Sequence, residues 1–286
     1  MLDPIVVLEH ALRARLLEER LSLLARARHI GHVPSAQKAE LVLVAAALAL
    51  EPSDWIAPSH RDWACALFRG LSLDAFFRQA LGRAGDPTLG NASLGGISAR
   101  ALRILSPSLP SPAHLVHACG LAWAARLRGQ REVVLAFTSE SGVESGDFHS
   151  ALNFSGIHRL PVVFVVKNLG VELPRPPVPI REKGIAYGIE GQSCPNEPEA
   201  IHRVVASSCE RAREGEGPFL IEVELSPKVD PLRAFEQSLI NRGLISAESL
   251  FALRRNLLAD ISSAYQSALE ALPLSQGSNG AEPYAL

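Results

Sequence analysis

Three short apolar runs, VVLAFT at 133–138, PVVFVV at 161–166 and FLIEVEL at 219–225, alternate with stretches of helical periodicity. This alternation restricts the fold more than any other feature of the chain. Continuous β-branched runs suit strands buried on both faces, and the helical stretches between them supply the crossovers. The expected class is therefore α/β, a mostly parallel sheet with helices on both faces. Right-handed crossovers return the segment 146–158 to the sheet. Ligands of such sheets bind beyond the carboxyl ends of the strands. Here those ends read Ser139-Glu140-Ser141-Gly142 and Lys167-Asn168-Leu169-Gly170. Glu140 and Asn168 are thus expected to protrude together into one crevice.

The flanking sequence adds helices. Leu17, Leu21 and Leu24 line one stripe of an N-terminal amphipathic helix, and LVLVAAALAL at 41–50 is a buried one. Ser72 and Gly82 bracket LDAFFRQAL as N-cap and C-cap. The stretch 83–112 is rich in Gly, Pro and Ser and is expected to be irregular. AHLVHACGLAWAARLRG, 197–214, 231–242 and 247–271 read as helices, the last capped by Ser246 or a neighbour. A proline-rich loop follows the second strand, with Pro174, Pro176, Pro177 and Pro179. The expected organisation is one domain over 1–272 with a disordered polar tail, 273–286.

Hydrophobic residues make up 47% of the chain, charged residues 20%, and the net charge is −2. That supports a sizeable core and offers no basic surface for nucleic acid. The longest apolar run falls short of the about 20 residues a bilayer requires. With no signal-peptide pattern, the expectation is a soluble, cytoplasmic protein without nucleic-acid or membrane partners. Cys65, Cys119, Cys194 and Cys209 match no zinc or redox spacing and read as buried free thiols. His114 and His117, three apart on a helix, could face one ligand.

A carboxylate at a strand end opposes a bare phosphate. It favours one bridged by a hard divalent cation, which takes carboxylate and amide oxygens on one side and phosphate oxygens on the other. Glu140 and Asn168 fit such a magnesium ion, with Lys167 beside the phosphate. The competing reading makes Glu140 the cap of the following helix, near the positive end of its dipole.

GDFHSALNFSGIHRLPVVFVV resembles the cofactor-binding segment in the alpha subunit of the decarboxylating component of 2-oxo acid dehydrogenase complexes, of the pyruvate, branched-chain and acetoin types. DWIAPSHRDWACALFRGLSLDAFFRQALG resembles that family's arginine-bearing segment. SPSLPSPAHLVHACGLAWAARLRG, EKGIAYGIEG, ERAREGEGPFLIEVEL and DPLRAFEQSLINRGLIS follow in family order, to about residue 271. The resemblance implies the thiamine-diphosphate-binding fold. It implies oxidative decarboxylation of a 2-oxo acid with thiamine diphosphate and Mg2+, and acyl transfer to the lipoyl group of a partner acyltransferase. It also implies a beta-like subunit and a homo- or hetero-oligomer, with the PAHLVHACGLAWAA helix near the subunit interface. By position, His60, Arg61, Ser139, Glu140, Ser141, Gly142, Lys167 and Asn168 bind the cofactor, and Glu140 and Asn168 the metal. No catalytic residue is assigned.

The chain departs from that pattern in four places. Ser139-Glu140-Ser141 replaces a glycine–acid–glycine triplet, so the acid survives and two close-approach glycines do not. Leu169 stands where the second of two asparagines ligates the metal, and an aliphatic side chain offers no oxygen. The chain has no histidine after His202, so the family's diphosphate-contacting histidine loop is missing. Leu109, Ser111, Ala113 and His114 replace residues that contact cofactor or a structural potassium ion. Two readings follow: an active thiamine-diphosphate enzyme subunit, or a non-catalytic relative acting as scaffold or regulator. The chain alone is expected to bind thiamine diphosphate and Mg2+ weakly or not at all.

Overall fold

The computed structural model describes residues 2–108, 112–170 and 178–274. Leu109, Ser111, the prolines 174, 176 and 177, and the tail from 275 onward lie outside the described residues.

Five parallel strands form one sheet in the order β1-β2-β3-β5-β4. They are β1 Trp55–Ala57, β2 Val134–Ser139, β3 Val162–Asn168, β4 Glu190–Pro195 and β5 Phe219–Glu224. The three apolar runs form the centre. β2 and β3 pair with Ser139 opposite Lys167, and β3 and β5 with Asn168 opposite Glu224. The carboxyl ends of β2, β3 and β5 therefore finish side by side. Val134, Leu135, Val163 and Val165 are fully buried, as a sheet covered on both faces requires.

The two edge strands carry no such signal. β1 is only three residues long, and its Ile56 and Ala57 are buried. β4, EGQSCP, buries only Cys194 and holds its place through the ladder to β5.

The helices are α1 Pro4–Arg26, α2 Glu40–Ala47, α3 Ala64–Phe68, α4 Leu73–Leu81, α5 His114–Leu127, α6 Gly146–Ile157, α7 Pro198–Arg213, α8 Pro231–Asn241 and α9 Ala247–Glu270. Their caps follow from local chemistry. Ser72 Oγ accepts from Ala75 N, and Gly82 closes α4 in the left-handed region at φ 60°. Ser246 caps α9 through Ser249 N. One apolar cluster packs α1, α2, α7, α8 and α9 over one face of the sheet. A second joins α5 and α6 over the other, through Ala118, Ala122, Phe148 and Leu152.

Of the stretch 83–112, the described residues 83–108 are short on regular structure but anchored. Asp86 accepts from Thr88 N and Gly90 N, and short 3-10 turns cover Leu94–Gly96 and Arg100–Leu102. Ala84 N donates to Leu272 O, and Leu274 N to Gly82 O, which ties residues 272–274 to the end of α4. All four cysteines are free and buried. Burial pushes the Cys119 thiol up to about 12. No helix among the described residues is long and apolar enough to cross a membrane.

Candidate functional site

A cavity of about 360 Å3 opens at the carboxyl ends of β1, β2 and β3, lined by His60, Arg61, Ser139, Glu140, Ser141 and Lys167 among others. The parallel register makes this gathering inevitable. Ser139 ends β2 opposite Lys167 on β3, and β1 delivers the loop that carries His60 and Arg61.

Glu140 is not the cap of α6. That position belongs to Ser145, whose side chain accepts from Asp147 N. Glu140 instead starts a 3-10 turn, Glu140–Glu144, and reaches across to the end of β3. Its Oε2 accepts from Gly170 N at 2.5 Å, and Asn168 Oδ1 accepts from the same N–H at 3.0 Å. Two side-chain oxygens, a carboxylate and an amide, thus converge on one electropositive point. Gly170 takes φ 68° to present that N–H, a conformation few side chains tolerate. Asn168 is oriented from behind, its Nδ2 donating to Glu222 Oε1 at 2.6 Å. Glu222 is 4% exposed in the middle of β5, and its Oε2 also accepts from Arg181 N at 3.0 Å.

Lys167 does not project freely. Its ammonium forms a buried ion pair with Asp62, beneath the Phe137 ring at 5.8 Å. Asp62 accepts in turn from Ser59 N at 2.9 Å and Ser59 Oγ at 2.6 Å. This network joins the loop after β1 to β3 and fixes the cavity floor. Arg61 behaves differently: it is exposed and makes no ion pair among the described residues. His60 is half-buried, and desolvation, reinforced by Arg61, holds its imidazole below the ordinary value and so neutral near pH 7.

Gly142 is the one glycine left in this turn, and it is needed. A Cβ there would run into Thr138 Oγ1, a buried hydroxyl without a partner among the described residues. Ser139 Oγ and Ser141 Oγ bond each other at 2.9 Å, giving the turn a hydroxyl edge.

His114 and His117 do not share a ligand. His114 is fully buried and bonds Phe137 O through Nε2 at 2.8 Å, whereas His117 faces outward. Among the described residues no three His, Cys, Asp or Glu side chains form a metal-holding group. A divalent cation here would draw on Glu140 and Asn168 and take its remaining oxygens from the ligand it accompanies. Those two side chains fit that role in type, and their oxygens meet at Gly170 N, but only Glu140 lines the cavity; Asn168 stands beside it. Leu169, which also lines the cavity, adds no oxygen.

Sequence reasoning missed Asp62 and Glu222, the partners of Lys167 and Asn168. Glu222 had a legible signal, a carboxylate inside an apolar strand. Asp62 had none, being distant in sequence from the lysine it pairs.

The family model described as the dehydrogenase E1 component matches residues 9–225. The 2-oxoisovalerate dehydrogenase subunit alpha of Bacillus subtilis is 30% identical, over 90% of this chain and 88% of its own length. The pyruvate dehydrogenase E1 component subunit alpha of Staphylococcus aureus is 28% identical, over 92% of this chain and 77% of its own. Among solved structures, one described as a thiamin diphosphate-dependent enzyme from Mycobacterium smegmatis aligns with a TM-score of 0.42 at 15% identity. That alignment covers 65% of this chain and 31% of the other, so the chain spans about a third of that protein's length.

Proposed function

Since the chain belongs to the dehydrogenase E1 component family and is alpha-subunit-like within it, we propose that it acts as the cofactor-gripping subunit of a 2-oxo acid decarboxylating component. In this reading thiamine diphosphate and Mg2+ are held at the carboxyl ends of β1–β3. A beta-like subunit completes the site, and a lipoyl acyltransferase receives the acyl group. The observation that carries it is the convergence of Asn168 and Glu140 on one point, with Glu140 lining a cavity that also presents Arg61.

Each residue then has a physical task. Arg61, exposed at the cavity, grips diphosphate oxygens through its planar fork. Glu140 and Asn168 present their oxygens to the metal, and Glu222 keeps the amide oxygen turned inward. The Lys167–Asp62 pair positions the wall and contributes a local dipole rather than a free ammonium. Neutral His60 offers a hydrogen-bonding ring where a charged one would lose solvation. When bound, thiamine diphosphate supplies the carbanion sink that decarboxylation of a 2-oxo acid requires.

Calorimetric titration of thiamine diphosphate with Mg2+ tests this reading. The chain alone should bind weakly, and the chain assembled with a beta-like subunit in a Mg2+-dependent way. Arg61→Ala and Glu140→Ala should each weaken that binding by at least about tenfold, the worth of one charge-assisted contact. Absence of heat even in the assembly would leave the non-catalytic reading in possession.

The surface a beta-like partner covers is proposed to be the outer face of α5 and α6. Val116 and Leu127 on α5 and Ile157 on α6 are exposed by 41%, 76% and 68%. Trp123 bridges the two helices, its ring 4.6 Å from Phe154 and 4.1 Å from His158. An apolar stripe with a half-buried tryptophan has the composition of an interface centre. Ile157→Asp should weaken association with the partner at least about tenfold by sedimentation, with an unchanged melting curve for the isolated chain. A variant that co-purifies as readily as the parent would remove this face from consideration.

A further inference from the structure

A second cavity, of about 640 Å3, lies beyond the carboxyl ends of β4 and β5. That volume falls within the usual range for small-molecule sites. A single stretch of chain divides it from the first cavity: Leu225 lines the first, and its neighbours Glu224 and Ser226 line the second. α7 and α8 both begin on the second, at Pro198 and Pro231, and Val229, Pro231 and Ala234 give it an apolar wall open to solvent.

Two helix starts would ordinarily suit an anion. Here the side chains reverse that preference. Glu197, Glu199 and Glu224 line the cavity against one guanidinium, Arg242, which Glu199 already engages at 3.5 Å. Each helix start returns roughly half a positive charge, so about one negative charge remains. Glu197 and Glu224 are both exposed and have no ion-pair partner among the described residues. They also bear on one place, since burial, with Glu197 and Glu224 adding to it, pushes the Cys194 thiol up to about 11.

We propose that this cavity binds an aliphatic ammonium ion, its charge held by Glu197 and Glu224 and its hydrocarbon body laid against Val229, Pro231 and Ala234. Other ligand classes fit less well. A hard metal ion finds no group of three ligating side chains among the described residues and gains nothing from an apolar wall. An amino acid would bring its own carboxylate up to Glu199 and Glu224, with Arg242 already engaged. An anion meets the excess of carboxylates directly.

NMR titration of the full chain with pentylammonium, pentanol and pentanoate tests this, because the three share a hydrocarbon chain and differ in the end group. Pentylammonium should bind at least about tenfold tighter than pentanol, and pentanoate weakest of all. The shifted amides should cluster at Ser226, Val229 and Ala234. Glu197→Gln and Glu224→Gln keep side-chain size and should each cut the preference for the ammonium, and the double substitution should erase it. Ala234→Phe, on the exposed face of α8, fills the apolar wall with every charge in place and should weaken pentylammonium and pentanol alike. No binding of any probe, equal affinities for all three, shifts clustered elsewhere, a preference that survives the double substitution, or unaltered binding to the Ala234→Phe variant would each overturn the proposal. None of these outcomes depends on whether thiamine diphosphate binds at the first cavity.

Discussion

Asp62→Ala is expected to lower the unfolding free energy by about 3–5 kcal/mol in urea denaturation at pH 7, the usual cost of leaving a buried charge without its partner. Asp62 is 1% exposed and Lys167 7%. Removing the carboxylate leaves the ammonium without its ion-pair partner, with the Phe137 ring at 5.8 Å, and strips Ser59 of the acceptor for both its N–H and its hydroxyl. A quadrupole at that distance offsets a small part of the loss, roughly 1–2 kcal/mol at best. Asp62→Asn retains an acceptor for Ser59 and should lie between the parent and the alanine variant. The double substitution Asp62→Leu with Lys167→Met removes both charges and keeps apolar volume, so its cost should fall well below the sum of the single changes. A single-variant loss under about 1 kcal/mol would mean that water reaches the pair and that the cavity floor is not rigid.

The same pair shows where sequence ends and structure begins. The three central strands are legible because each is a continuous apolar run, and their order of ending follows from parallel register. This is why the sequence alone brings the Glu140 and Asn168 strand ends together. The caps Ser72, Gly82 and Ser246 are legible because a single side chain or a left-handed glycine decides each of them. β1 and β4 are not. WIA is too short to show a period, and EGQSCP is a polar edge whose strand character comes wholly from its ladder to β5.

Within the site, residue types are readable but their engagements are not. Lys167 looks like a phosphate ligand until Asp62, distant in the chain, is seen to hold it. Glu140 looks like a helix cap until Ser145 is found in that place. Both outcomes were decided by tertiary neighbours, which no local pattern encodes.

Leu169→Asn is expected to tighten Mg2+-dependent thiamine diphosphate binding by at least about tenfold, on the order of 1.4 kcal/mol. The reason lies in the count of hard oxygens. Glu140 Oε2 and Asn168 Oδ1 already converge, at 2.5 and 3.0 Å from Gly170 N, and Leu169, next to Asn168 in the chain, lines the cavity with Glu140. Magnesium demands near-octahedral oxygen coordination and sheds its water reluctantly, so each protein oxygen presented in advance raises its occupancy. A third side-chain oxygen from position 169 would also compete for the Gly170 N–H and free the existing two for the metal. The leucine is only half-buried, so losing its packing should cost little stability. Leu169→Ala separates the explanations, because it opens the same space and adds no oxygen. If the asparagine and alanine variants bind alike, coordination is not what position 169 governs. Should the asparagine variant gain affinity only when Mg2+ is present, and lose that gain on adding Glu140→Ala, the two strand tips act as one metal seat.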